Sequence, residues 1–317
     1  MSKVIQIESN AQLENVRTAL TEVEQKRQLL WRWERRGLLL LALPVLIFVV
    51  LVGIESVRNL GLMGLFIPVL CLFVMVAMGG DSLFKPSRQA ARKLQQWMGE
   101  AVLQQLHPEW QFFASDHQDL DPFYDLNVLG QHHIIRGANL IKGEIEGTAF
   151  SCSHLTVLPP NRDETYLHFQ GILITLDLHR PLQGKTIVVP DRAQKQLGTY
   201  LGKKVQEQGR DGLELVYLED SVFEKLYAVY GEDQIEARYV LTPSKMRRLV
   251  ELRSRFGENI SFSFSQKQVA IAINHYPFSV VHVESPIHQD AAIQHLLAPV
   301  RVVEDLVHAL QLNEFPA

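Results

Sequence analysis

The sequence predicts an α+β protein, built as a two-helix transmembrane hairpin followed by a mixed α+β cytoplasmic domain, with an amphipathic helix ahead of both. Three observations carry this. Two apolar runs, Gly37–Ile54 and Leu60–Met78, contain no charged residue. Helical heptad-like spacing precedes them, and strand-like alternation mixed with capped helical stretches follows them. The implied boundaries are 1–36 for the N-terminal helix, 37–79 for the hairpin, 80–110 for a juxtamembrane amphipathic helix and 111–317 for the α+β domain.

The N-terminal helix starts at a capping-box pair, Ser9 and Gln12, and carries Leu13, Val16, Leu20, Val23 and Leu30 in alternating steps of three and four. Arg27 occupies the next place in that series and breaks the apolar seam. Two readings stay open: a partner-helix seam in a short coiled coil, or an amphipathic helix packing on the rest of its own chain.

Each apolar run is about as long as a helix needs to cross the ~30 Å hydrocarbon core. Only Glu55, Ser56, Val57, Arg58 and Asn59 separate them, so the chain is expected to cross, turn there and return. Pro44 and Pro68 fall near mid-span, where they kink a helix rather than end it. No ionisable residue lies inside either run, so the hairpin reads as an anchor and not as a transport path. Trp31 and Trp33 fall at headgroup depth.

Arg32, Arg35 and Arg36 precede the first run, and Lys85, Arg88 and Arg92 follow the second, whereas the hairpin turn offers Arg58 against Glu55. Short basic flanks stay on the cytoplasmic side. The expectation is a multi-pass protein of a bacterial cytoplasmic (inner) membrane, with both termini and the large domain cytoplasmic. Membrane lipids are then one partner. Cysteine use agrees, since Cys71 lies in a run and Cys152 has no pairing partner in the domain. With a net charge of −4 no strong field attracts nucleic acid.

After the membrane, residues 86–106 read as a helix with Ala90, Leu94, Trp97, Met98 and Ala101 on one face and the basic residues opposite, ended by His107-Pro108. Asp116, Asp119, Asp121 and Asp125 lack the alternate spacing and turn glycine of a calcium loop, so they read as a solvated loop with capping aspartates. Strand patterns occupy Gly143–Val157, Tyr166–Leu178 and Lys185–Val189, then a helix is expected to about Gln208. Gly209–Gly212 is the candidate hinge, which leaves open whether the domain is one body or two lobes, 111–209 and 210–317.

Beyond it, Leu213–Leu218 and Phe223–Tyr230 read as short strands or their flanks. Thr242-Pro243 starts a helix that Gly257 stops. Ile260, Phe262 and Phe264 alternate with serines, and Val269, Ile271 and Ile273 alternate after Gln266-Lys267, predicting a hairpin with one buried and one polar face. A helix from about Asp290 to Leu312 closes the chain, with Pro299 expected to bend or split it.

The stretch FEKLYAVYGEDQIEARYVLTPSKMRRLVELRSRF, the ISFSFSQKQVAIAI hairpin after it and GILITLDLHRPLQGKTIVVPD before it resemble an uncharacterised bacterial membrane-protein family, the domain of unknown function numbered three-one-three-seven. The resemblance covers roughly Gly37 to Ile273 and is fold-like rather than catalytic, so it transfers no active-site residue. It implies a bacterial membrane protein and suggests a LemA-type membrane protein as a protein partner, beside self-association.

For function, a membrane-anchored interaction or assembly protein is the first reading, with no catalysis, metal or cofactor expected. No Gly-x-Ser-x-Gly elbow, phosphate-cradling loop, Cys-x-x-Cys or His-Glu-x-x-His occurs. The alternative is an enzyme acting on a membrane-proximal substrate. It would need His132, His133, His154, His168 or His179 as a base with Asp177 or Asp191 beside it.

Overall fold

A computed structural model describes residues 10–60, 88–126, 134–158, 169–179, 181–191, 213–265, 267–276, 283, 285–287 and 289–310. The chain divides into two compact units, one formed by residues 1–101 with 280–289, the other by 102–279 with 290–317.

In the first unit, α1 runs unbroken from Asn10 to Leu60, and α2 begins at Arg88 and continues to Leu106. On α1 the seam residues Val16, Leu20 and Val23 are buried. On α2 the buried face includes Ala90, Leu94 and Met98, while Arg92 and Lys93 are exposed. Lys26 sits 5.9 Å above the Trp97 ring, which places these two helices side by side at that level.

The turn expected at Glu55–Asn59 is helix. No glycine or proline stands between Ile54 and Leu60 to stop α1, and Glu55 and Arg58 suit its i,i+3 spacing. Among the described residues no helix is long and apolar enough to cross a membrane. Most side chains of Gly37–Ile54, and all of residues 61–78, lie outside them.

The second unit is mixed α+β and holds a nine-stranded antiparallel sheet in the order β1-β2-β3-β4-β9-β8-β5-β7-β6. The strands are β1 (Gln111–Phe113), β2 (Ile134–Ile145), β3 (Thr148–Leu158), β4 (Phe169–Asp177), β5 (Lys185–Pro190), β6 (Glu214–Leu215), β7 (Tyr227–Gly231), β8 (Ile260–Ser265) and β9 (Gln268–Asn274). The first four follow chain order. Strand β5 then pairs with β8 and β7, so the two lobes considered from sequence share one sheet and are not separate bodies.

The Gly143–Val157 pattern is not one strand but the β2–β3 hairpin. Its turn, Glu146-Gly147, has φ of 51° and 81°, the pair of positive values that a two-residue hairpin turn requires.

Helices pack on one face of this sheet. Short α3 (Asp121–Asp125) lies on the other, while α4 (Ser221–Leu226), α5 (Gln234–Val240), α6 (Pro243–Phe256) and α7 (Gln289–Leu310) complete the described elements. Phe223–Tyr230, read as a short strand or its flank, is divided between α4 and β7, because Asp220 caps α4 by accepting from the N–H groups of Val222 and Phe223. Helix α6 forms as read: Thr242 Oγ1 accepts from Lys245 N, Pro243 takes the first turn, and Gly257 N donates to Arg253 O at the stop. Helix α7 continues through Pro299 without splitting.

The larger core lies on the helical face. It joins Ile172, Ile174 and Leu176 of β4, Phe262 and Phe264 of β8, and Leu249 of α6 with Val303 and Leu306 of α7. The opposite face of the sheet is also covered. There Leu155, Val157, Phe169, Leu173, Ala270 and Ala272 pack with Phe123 and Leu126. The β8–β9 hairpin therefore has no solvated side, and Ser261 and Ser263 are buried along with Phe262 and Phe264. Alternation marked two chemically different faces; it did not mark one as wet, because β8 and β9 sit in mid-sheet.

Gly171 is where this sheet tolerates no side chain. A Cβ there would lie 1.9 Å from the Ile273 carbonyl oxygen on β9. Gly171→Ala should push β4 off β9 and lower unfolding stability by about 3 kcal/mol or more in urea titrations, since overpacking against backbone cannot relax by rotamer change.

Candidate functional site

The candidate region with the most built-in chemistry is the helical unit around Arg27. The sequence marked this residue as a charge in an apolar seam, and the structure buries it to 5% exposure. Its guanidinium donates through Nε and Nη2 to the two Glu24 carboxylate oxygens at 2.8 and 2.6 Å, and through Nη1 to the Val283 carbonyl at 2.6 Å. Glu24 in turn accepts from the Ile287 backbone N–H at 3.0 Å. A residue pair one helical turn apart on α1 thereby grips a segment more than 250 positions later.

The hydrogen bonds from Arg27 hold the Glu24 carboxyl down at about 2, against the opposing effect of partial burial. The Glu24 carboxyl is therefore ionised throughout the physiological range. The seam of Val16, Leu20 and Val23 is covered within this chain, and the Leu13 side chain lies outside the described residues; Leu30 is half-buried.

The apolar continuation of α1 behaves differently. Ile47, Val50, Leu51 and Ile54 are more than half exposed, as is Trp33. Arg32 and Arg36 are also exposed and Trp31 is half-buried, whereas the Arg35 and Arg88 side chains and all of Lys85 lie outside the described residues.

A second cluster sits where the chain leaves α2. The His107 ring stacks on Trp110 at 3.9 Å, with Nε2 3.4 Å from Glu304 and Nδ1 3.5 Å from Glu109. Trp110 lies against the bare backbone of Gly143, where a Cβ would come within 2.5 Å of the indole, and donates to the Glu144 carbonyl at 3.3 Å. Burial works against a charge on His107, but the hydrogen bond and charge of Glu304, with Glu109, outweigh it and raise its pKa above the ordinary value.

The histidines and aspartates considered for catalysis do not gather among the described residues. His154 is buried on β3, and burial lowers its pKa to about 4, so the ring is neutral near pH 7. It pairs with Ile172, five residues from Asp177 along β4, a separation of about 17 Å. His179 lies beside the Glu146-Gly147 turn instead, and Asp191 follows the end of β5. His132, His133 and His168 lie outside the described residues, as does the expected hinge Gly209–Gly212. Cys152 is buried, its thiol pushed up to about 12. No group of three or more metal-ligating side chains forms among the described residues.

The fold defines a class: an α+β domain on a nine-stranded sheet, joined in one chain to a long-helix unit. Residues 167–312 match the family described as "Protein of unknown function (DUF3137)", the family that the sequence resembles. The match takes in β4 through α7 and does not reach the two apolar runs. No curated protein matches this sequence. Among solved structures, the crystal structure of the mycobacterial trehalose monomycolate transport factor A, TtfA, aligns over 71% of this chain and 97% of its own, at 10% identity and a TM-score of 0.35. A likeness that slight carries no argument.

Glu24→Gln should leave the Arg27 guanidinium buried without its counter-charge and destabilise the helical unit by about 3 kcal/mol, read as earlier tryptic cleavage near Arg27 and a lowered first melting transition. The pH dependence has opposite signs at the two clusters. Glu24, with a depressed pKa, contributes stability that is present above the ordinary carboxylate range and is lost as pH falls from about 4.5 toward 2. His107, with a raised pKa, contributes stability that is present below the ordinary histidine value and is lost as pH rises through its folded value. Glu304→Gln should flatten that neutral-range loss in melting curves while leaving the acid limb unchanged.

Proposed function

We propose that this protein is a membrane-anchored interaction or assembly protein of a bacterial inner membrane, holding its sheet domain at the cytoplasmic surface. The observation that carries the reading is the change of character along α1. Its first half buries an apolar seam inside the protein, and its second half, still helical, presents Ile47, Val50, Leu51 and Ile54 outward. Exposed apolar side chains in such a row mark a lipid- or partner-facing surface. The charge-free stretch Gly37–Ile54 rises about 27 Å as a helix, close to the thickness of the hydrocarbon core.

In this reading the second apolar run, Leu60–Met78, brings the chain back to the side it left. Basic residues at both outer ends of the pair favour the cytoplasmic side for both termini. Confinement to a plane raises the effective concentration of a weak partner site, so modest affinity suffices. A LemA-type membrane protein, suggested by the family resemblance, is the first partner to try in co-purification.

The anchor is tested by alkaline carbonate extraction and by labelling of an Ala317→Cys chain in intact cells. The full chain is expected to resist extraction, a chain lacking residues 37–79 to be released, and the C-terminal thiol to react only after permeabilisation. Release of the full chain by carbonate, or labelling of the thiol from outside, would overturn the reading.

A further inference from the structure

The sheet ends at β6, a two-residue strand that pairs with β7 only, through Glu214 opposite Gly231 and Leu215 opposite Tyr230. Around this edge the second unit carries large apolar side chains in the open: Tyr217 (70% exposed), Val222 (59%) and Ile235 (79%), with Tyr239 also exposed. These flank the β6 edge, α5 at its Glu214 end and α4 at its Leu218 end. Gln234, next to Ile235, donates to Glu214 on β6, and the Leu218 N–H beside Tyr217 donates to Glu224 of α4, the helix that carries Val222. Ile235 and Tyr239 are four apart on α5 and so form a stripe along that helix.

None of these four side chains is needed to close the core. The same two short helices bury Phe223, Ala237 and Val240 on their inner sides. Several exposed apolar side chains along one edge mark a docking surface.

The surrounding charge says what docks. From Glu214 through Tyr239 the sequence carries seven carboxylates, Glu214 included, against Lys225 and Arg238. Several of them are held by neutral amides, which satisfy their hydrogen bonds without cancelling their charge. Asp220 and Asp233 accept from helix N–H groups, Glu224 from Leu218 N, and Glu232 from Lys185 N. We infer that this edge is the docking surface for a cationic amphipathic segment of a partner protein, its apolar side chains seated on Ile235, Tyr239, Val222 and Tyr217 and its Lys and Arg residues against the carboxylates. An anionic lipid surface would be repelled by the same charges, so the occupant is protein. This deepens the interaction half of the proposed function and is independent of the anchor.

The test uses the full chain in detergent micelles and a fluorescein-labelled synthetic helix carrying Leu at i, i+3, i+4 and i+7 with Lys on the flanks. A scrambled peptide of identical composition and a Lys→Glu version serve as controls. The expected result is saturable anisotropy binding of the amphipathic cationic peptide alone, weakened about tenfold by Ile235→Ser with Val222→Ser and several-fold by Glu219→Lys. All three positions are exposed, so melting temperatures should not move. Equal binding of the scrambled peptide, indifference to the Ile235 and Val222 substitutions, binding of the acidic version, or no binding would each overturn the inference. Concentration-dependent self-association abolished by Ile235→Ser would overturn it in favour of a second copy as occupant. Neither result depends on carbonate extraction, so failure here and failure of the anchor are separable.

Discussion

The β4–β9 ladder holds the sheet of the second unit together. Strands β1 to β4 form a meander in chain order, while β5 to β9 interleave, and among the described residues the two groups are hydrogen-bonded to each other along this one seam, from Gly171 opposite Asn274 to Asp177 opposite Gln268. Because β4 and β9 meet in the middle of nine strands, both their faces must be covered. That requirement places the α6 and α7 side chains on one side and Phe123 and Leu126 on the other. It also explains the composition of the seam: small residues, Gly171, Ala270 and Ala272, where backbones or the second layer crowd, and large branched residues toward the helices.

Much of the α+β architecture was legible because local rules and tertiary packing agree there. Thr242-Pro243 and Gly257 bracket α6 by chemistry that needs no distant partner, and the tight β8–β9 connection sets Phe262 opposite Ile271, so that both apolar rows fall on one side. What alternation could not reveal was whether the serine side of that hairpin is wet, since serine is small enough to be buried and polar enough to be solvated. Nor could it reveal that β5 joins β8 to β7 across the supposed hinge, a pairing that depends on loop closure over long separations rather than on any local pattern.

The helical unit shows the same division. The break that Arg27 makes in the α1 seam was visible at once, but the groups that complete its coordination and that of Glu24, the Val283 carbonyl and the Ile287 amide, are backbone atoms with no sequence signature. A buried arginine in an apolar series is therefore a signal worth following: it implies a carboxylate within a helical turn and a carbonyl from elsewhere. Likewise Asp220 and Asp233 start α4 and α5 by accepting from the first N–H groups of those helices.

The excursion of residues 280–289 has a consequence for how the molecule can be taken apart. The polypeptide exits the larger unit after β9, lends Val283 and Ile287 to α1, and goes back to become α7. A cut at residue 101 consequently does not liberate two self-sufficient pieces, because the C-terminal fragment carries away a loop whose carbonyl and amide were satisfied by Arg27 and Glu24. Shortening the N terminus past Glu24 leaves the same loop orphaned, so a phenotype from such a truncation reports on the loop as much as on the helix removed.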